Sequence, residues 1–243
     1  MARKQFDADG VPSSSVAVVS GALDGIERVL REQLRSGDRV LVEDPCFTGV
    51  ADLLHALALV PVPVSVDDEG LIPAAVQRAS SAAAIIVTPR AQNPTGAAFT
   101  ERRGRQLRAI LRQRPELLII EDDHAGPIAG APYVTLVDGS RERWAVVRSV
   151  SKSLGPDLRV AIMAGDARTI ARVEGRQTPG IRWGSHILQR LIVTLWRYKK
   201  VHKQLTRSAQ ASTHRRDARL ERLPKPKLTA PTPRDLNISM RTT

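Results

Sequence analysis

Residues 144–165 read WAVVRSVSKSLGPDLRVAIMAG. Two Val- and Ile-containing runs, 144–149 and 159–165, flank a short polar segment that carries Lys152, Gly155 and Pro156. Each run has the length and apolar character of a buried strand. A crossover between parallel neighbours needs about a dozen residues or more, and only about ten lie here. The two strands are therefore predicted to be antiparallel, with Lys152 on the connecting loop.

Runs of the same kind stand at 16–20 (VAVVS), 39–43 (RVLVE), 60–66 (VPVPVSV), 83–88 (AAIIVT) and 117–121 (LLIIE). They do not alternate strictly between polar and apolar. That pattern belongs to strands buried on both faces of a mainly parallel sheet. Helical patterns separate them. Within 22–38, Leu23, Ile26, Val29, Leu30 and Leu34 share one face, and Gly37 is placed for a C-cap. Within 100–115, Thr100 is the expected N-cap, Glu101 lies in the first turn and Pro115 falls beyond the end. The alternation predicts an α/β fold: a mainly parallel doubly wound sheet with one antiparallel strand and helices on both faces.

After about residue 183 the character changes. Residues 185–205 (SHILQRLIVTLWRYKKVHKQL) read as one long helix, apolar in its first half and basic in its second, and 211–223 continue helically. The stretch from 224 onward holds four prolines and no apolar periodicity. The expected organisation is a large domain over 1–183, a basic helical segment over 184–222 and a proline-rich tail over 223–243.

The chain has 243 residues, 42% of them apolar and only 3% aromatic, so its core is built from Ala, Val, Leu and Ile. Its formal charge is +12. Such a balance suits nucleic acid, an anionic cofactor or a membrane surface, and also plain arginine-rich composition. No DNA-binding motif is present, and the aromatic interleaving of single-strand binders is absent, so the basic C-terminal third reads as a solvated helix face. The single cysteine, Cys46, excludes an internal disulfide and fits a reducing compartment. The N-terminus has no apolar signal core, and the apolar runs are too short and proline-broken to span a bilayer. A soluble, cytoplasmic protein is expected.

Common phosphate-loop, metal and serine-hydrolase motifs are missing. Four stretches remain, each at the C-terminal end of an expected strand, where open α/β sheets place their sites. SGALDG (20–25) offers backbone N–H groups at a helix N-terminus to an anion, or is merely a tight turn. TPRAQNPTG (88–96) presents the Asn93 amide, or is merely a loop. IIEDDHAG (119–126) gathers three acids and a histidine. It is open to three readings: a solvated loop start, a divalent-metal site, or a carboxylate that pairs with a protonated ring nitrogen. The fourth stretch holds Lys152, an amine able to form a Schiff base once its pKa falls, with Ser149 before it and Arg159, fitted to phosphate, after it. Together they offer an anion cradle, an amide, a carboxylate, an amine, a hydroxyl and a guanidinium. Pyridoxal 5′-phosphate calls for that set.

The order SGA, EDPCF, TPRAQNPTG, IIEDDHAG, SVSKSLGPDLR resembles the class I/II aminotransferases, fold type I pyridoxal-phosphate enzymes, over residues 10–222. It is most similar to the aminotransferase-like domain of MocR-type regulators of the GntR superfamily. The resemblance implies that Lys152 holds the cofactor covalently and shuttles the proton, and that Asp122 faces the pyridine nitrogen. Asn93 would contact the ring hydroxyl, and Phe47 would stack on the ring. Gly21 and Ala22 by backbone, with Ser149 and Arg159 by side chain, would hold the phosphate. His124 stands where the family usually has tyrosine, as a donor to the ring oxygen whose charge near neutral pH would retune the cofactor.

The resemblance also implies an amino acid or amine as substrate or effector, a homodimer, and two functional alternatives: transamination, or ligand sensing without net catalysis. The DNA-binding module of the regulators and the C-terminal small domain that binds a substrate carboxylate are both expected to be missing. An inactive truncated fragment, with apolar surface left bare near the long helix, is thus a further alternative.

Overall fold

The computed structural model describes residues 1–79, 81–177 and 184–222. In chain order its elements begin with α1 (Ala2–Ala8), β1 (Ser15–Val19), α2 (Ala22–Gln33), β2 (Arg39–Asp44), α3 (Thr48–Ala56) and β3 (Val60–Asp67). Next come β4 (Gly70–Leu71), α4 (Pro73–Arg78), β5 (Ala84–Val87), α5 (Glu101–Arg112), β6 (Leu118–Asp123) and a 3₁₀ turn (Gly126–Ile128). The chain continues through β7 (Trp144–Ser149), α6 (Ser151–Leu154), β8 (Ala161–Gly165), α7 (Ala167–Gln177), α8 (His186–Arg197) and α9 (Lys199–Arg222).

The strands form one sheet in the order β1-β8-β7-β6-β5-β2-β3-β4. β3, β2, β5, β6 and β7 are parallel, and β8 runs against both β7 and β1. The short 144–165 connection thus produces the reversed strand expected of it. The two-residue β4 adds a second antiparallel pairing, at the β3 edge. β3 tolerates Pro61 and Pro63 because it pairs along its length with β2 alone, and prolines on its other side forfeit no ladder bond.

The period of two along each strand splits the core into two layers. Ile119, Val146 and Ile162 point into one layer, with Phe6, Leu107, Leu111, Ile192 and Trp196 from α1, α5 and α8. Ile120, Val147 and Met163 point into the other, with Ile26, Val29 and Leu30 of α2 and Val173 of α7. Gly25 lets α2 settle onto the sheet, since a Cβ there would lie 3.0 Å from Met163 and Val19 and 3.1 Å from Val147. Thr100 caps α5, its hydroxyl accepting from the Arg103 N–H at 3.1 Å, as the sequence predicts.

Several local expectations need correction. α2 ends at Gln33 because Leu34 is extended, so Gly37 (φ +86°) shapes the turn into β2 instead of capping the helix. Its N–H donates to the Ala58 carbonyl at 2.8 Å. The expected long C-terminal helix is broken at Tyr198, which is extended between α8 and α9. Ile192 and Trp196 are anchored in the core, while the basic half turns out to solvent. His202 Nε2 donates to the Trp196 carbonyl beside the break. Lys152 lies in the single turn of α6, not on an irregular loop. The N-terminal residues form α1, which the sequence reading leaves out; its Phe6 is fully buried. The proline-rich stretch 223–243 lies outside the described residues.

Candidate functional site

The parallel strands bring Asp44, Val87, Asp123 and Ser149 to one edge of the sheet. The reversed strand completes that edge. Its first residue, Ala161, pairs with both Val19 and Ser149. Arg159, just before it, is thereby returned to the side where β1 hands over to α2. There a Cβ on Gly21 would lie 3.3 Å from Arg159 Nη2. Gly21 (φ +120°) is the N-cap of α2, so the first free N–H groups of that helix and the guanidinium face one place. The Asp24 carboxylate accepts from the Ser20 N–H and from Arg28, both on its own segment. Ser149 Oγ accepts from the Ser151 N–H at 3.2 Å, which leaves its hydroxyl proton to donate.

Alternation along β6 parts the three acids of IIEDDHAG. Glu121 and Asp123 point to the α1/α5 side and Asp122 to the other. Glu121 is fully buried and accepts from Tyr133, Thr135 and the Leu136 N–H. Burial outweighs those bonds and raises its pKa to about 7. Asp123 is also fully buried, where burial alone would raise its pKa. The Arg90 hydrogen bonds (2.9 and 2.8 Å), with the charges of Arg148 and Arg90, outweigh that and hold it below the usual carboxylate range. Arg148 also bonds Asp9 at 2.6 Å, and both arginines lie over the Tyr133 ring. The acids therefore do not converge as ligands of one metal ion; no cluster of that kind occurs among the described residues.

Asp122 lines a cleft with Glu43, Phe47, Asn93, His124 and Cys46. Its Oδ1 is buried with no hydrogen-bond partner among the described residues. Burial, then the charges of Asp123 and Glu43, raise its pKa to about 7 against the pull of Lys152. Glu43 is raised to about 7 by burial, although the Thr88 N–H donates to it at 3.0 Å. His124 donates through Nε2 to the Ala91 carbonyl at 2.9 Å, and its Nδ1 is buried without a partner among the described residues. Its pKa is lowered by burial and by the Lys152 charge, which disfavours the charged ring. Phe47 is 41% exposed, and its ring lies over Gly49.

The fold thus joins Asp122, His124, Asn93 and Phe47 in one cleft, and Gly21, Ala22, Ser149 and Arg159 at the adjoining strand ends. The charge of Lys152 reaches both Asp122 and His124. Lys152 is exposed, and α6 contributes no buried residue. Glu43, Arg90, Gln92 and Arg148 escape the sequence reading. Gln92, 1% exposed, ties the NPTG loop by donating to the Pro45 carbonyl at 2.7 Å and accepting from Thr95. The available signal was a charged or amide residue inside or beside an apolar run.

A family description, aminotransferase class I and II, matches residues 6–236. The chain belongs to that family. Among curated relatives, the vitamin B6 salvage pathway transcriptional repressor PtsJ of Salmonella typhimurium is 43% identical over 187 residues, covering 76% of this chain and 44% of PtsJ. The aminotransferase tdiD of Emericella nidulans is 30% identical over 177 residues, covering 65% of this chain and 40% of tdiD. The family therefore spans regulators and enzymes. The chain spans less than half the length of these relatives. Among solved structures, the α-aminoadipate aminotransferase LysN of Thermus thermophilus, complexed with N-(5′-phosphopyridoxyl)-L-leucine, superposes with a TM-score of 0.76 at 21% identity, covering 86% of this chain and 56% of LysN. Among the described residues, no helix is long and apolar enough to cross a membrane.

The cofactor of this family is pyridoxal 5′-phosphate, and the residues present fit it. A buried acceptor without a partner, Asp122 Oδ1, is what a protonated pyridine nitrogen requires. The junction of Gly21 and Arg159 is an anion cradle with backbone and side-chain donors.

Proposed function

We propose that this chain binds pyridoxal 5′-phosphate at the sheet edge and serves a protein that transaminates an amino acid or amine. When bound, the cofactor acts as an electron sink while its ring nitrogen stays protonated. Asp122, with a pKa of about 7, keeps a proton at that nitrogen. Asn93 offers its amide to the ring hydroxyl, and Phe47 covers the ring. The Gly21 and Ala22 N–H groups, with Ser149 and Arg159, take the phosphate. Lys152 would supply the amine for the cofactor's aldehyde, with water as the leaving group, and its exposure leaves it free to reach the cleft and to move a proton there. The observation that carries this reading is the unpartnered Asp122 oxygen in a cleft that also feels the Lys152 charge. Borohydride reduction after addition of the cofactor, followed by peptide mapping, should leave the adduct on Lys152. In Lys152→Ala both the adduct and the absorbance band of the lysine-bound cofactor should be lost; an unchanged band would overturn the assignment.

A second reading is a ligand-sensing module without net catalysis. The 43% identity to a transcriptional repressor named for vitamin B6 salvage favours it, with the cofactor or an amine as the signal. It predicts a spectral change on addition of an amino acid or amine, and no keto-acid product. Steady product formation would remove it.

We further take 1–183 as the cofactor-binding unit, with the helical segment 184–222 packed on it through Ile192 and Trp196. A cytoplasmic homodimer suits the single cysteine and the exposed Phe47, Ile187, Leu191 and Tyr198.

A further inference from the structure

His124 follows β6 directly, and its ring is fixed by one bond. Its Nε2 lies 2.9 Å from the Ala91 carbonyl oxygen. A carbonyl has no proton to give, so Nε2 carries the hydrogen and donates it. In the neutral ring Nδ1 then keeps a bare lone pair. That atom is buried and has no partner among the described residues. A second proton is disfavoured: burial and the Lys152 charge lower the pKa of the ring, and the Ala91 bond and Asp123 do not offset them.

The only other buried side-chain atom without a partner among the residues lining this cleft is Asp122 Oδ1. Both orphans are acceptors at neutral pH, except for the share of Asp122 that is protonated. A ligand seated here therefore has to bring hydrogen to each, because an unmet buried acceptor is costly. A protonated ring nitrogen brings one. An oxygen that keeps its own proton brings the other.

We infer that His124 is a hydrogen-bond acceptor in the cofactor cleft, and that it holds the proton on the 3-hydroxyl of pyridoxal phosphate instead of donating to that oxygen. The inference rests on the cofactor reading above and deepens it. A hydroxyl has one hydrogen and two lone pairs. It gives the hydrogen to His124 Nδ1 and takes one from the Asn93 amide, which lines the same cleft. A tyrosine hydroxyl at this position can donate or accept, and so would not impose the choice. His124 is thus a positioning residue for a proton, and it tunes the electronic state of the cofactor without touching its aldehyde.

Two measurements test this. In cofactor-free protein labelled with ¹⁵N at histidine, with His124→Gln used to assign the signal, the His124 ring at pH 7 should be neutral, with hydrogen on Nε2 and none on Nδ1. A charged ring, or hydrogen on Nδ1, would overturn the inference whether or not cofactor binds. In the loaded protein, the dominant absorbance should be the near-ultraviolet band of the form protonated at the 3-oxygen. His124→Tyr should move the dominant band of the borohydride-reducible cofactor to the visible. A visible band in the wild type that His124→Tyr leaves in place would also overturn it. Absence of any trapped adduct in the wild type would overturn the cofactor reading and, with it, the ligand named here.

Discussion

Asp122→Asn isolates the least comfortable group of the site. The buried carboxyl titrates near 7 in the fold, against an ordinary value of 3.8. Because the folded pKa lies above the unfolded one, its favourable contribution is whole below pH 3.8 and is lost as pH rises through about 7. At 1.36 kcal/mol per pH unit, the gap amounts to about 4 kcal/mol once Asp122 is ionised. Asparagine has nearly the same shape and no charge to desolvate. The variant should therefore unfold in urea like the wild type near pH 4. It should be more stable by about 1 kcal/mol at pH 4.5, about 3 kcal/mol at pH 6 and about 4 kcal/mol at pH 8. With pyridoxal phosphate present the order should reverse, because the amide cannot hold a proton at the ring nitrogen. Parallel stability curves for the two proteins between pH 4 and 8, without cofactor, would refute the idea of an unpartnered buried carboxylate.

Two further outcomes follow from the geometry. Asp123→Ala strands Arg90 and Arg148 without their shared carboxylate, and should cost about 3–5 kcal/mol in urea unfolding; a loss below about 1 kcal/mol would mean that the arginines find other partners. Gly21→Ala adds a Cβ 3.3 Å from Arg159 Nη2 at a φ of +120°. It should weaken cofactor retention in equilibrium dialysis more than Gly37→Ala, where φ is also positive but nothing lies within 4 Å.

Much of the sheet was legible because both-face burial leaves a local record. The Val- and Ile-rich runs lie where the long strands lie, and the short connection after Ser149 alone dictates the reversal of β8. The four stretches were legible for the same reason, since each follows a strand. The assignment within them came from the family resemblance and not from the local pattern. Which aspartate of the pair enters the cleft follows from the phase of β6. Its confirmation comes from Arg90 and Arg148, which are 33 and 25 residues from Asp123. Which ring nitrogen of His124 carries the hydrogen depends on a carbonyl 33 residues away. α1 escaped because Phe6 is its only buried residue. The break at Tyr198 escaped because the helical pattern runs on through it; the anchoring of Trp196 in a distant core decides it.

The reversal of β8 has a consequence for how the chain is made. β1 leaves the ribosome well before β8, yet β8 is its only neighbour among the described strands. Val19 and its partner Ala161 are 142 positions apart. At roughly 5–20 residues per second, a new chain carries β1 unpaired for roughly 7–30 s. Throughout that interval Gly21 has no guanidinium beside it. The junction of Gly21 and Arg159, the proposed place for the phosphate, is therefore completed only with β8, the last of the described strands.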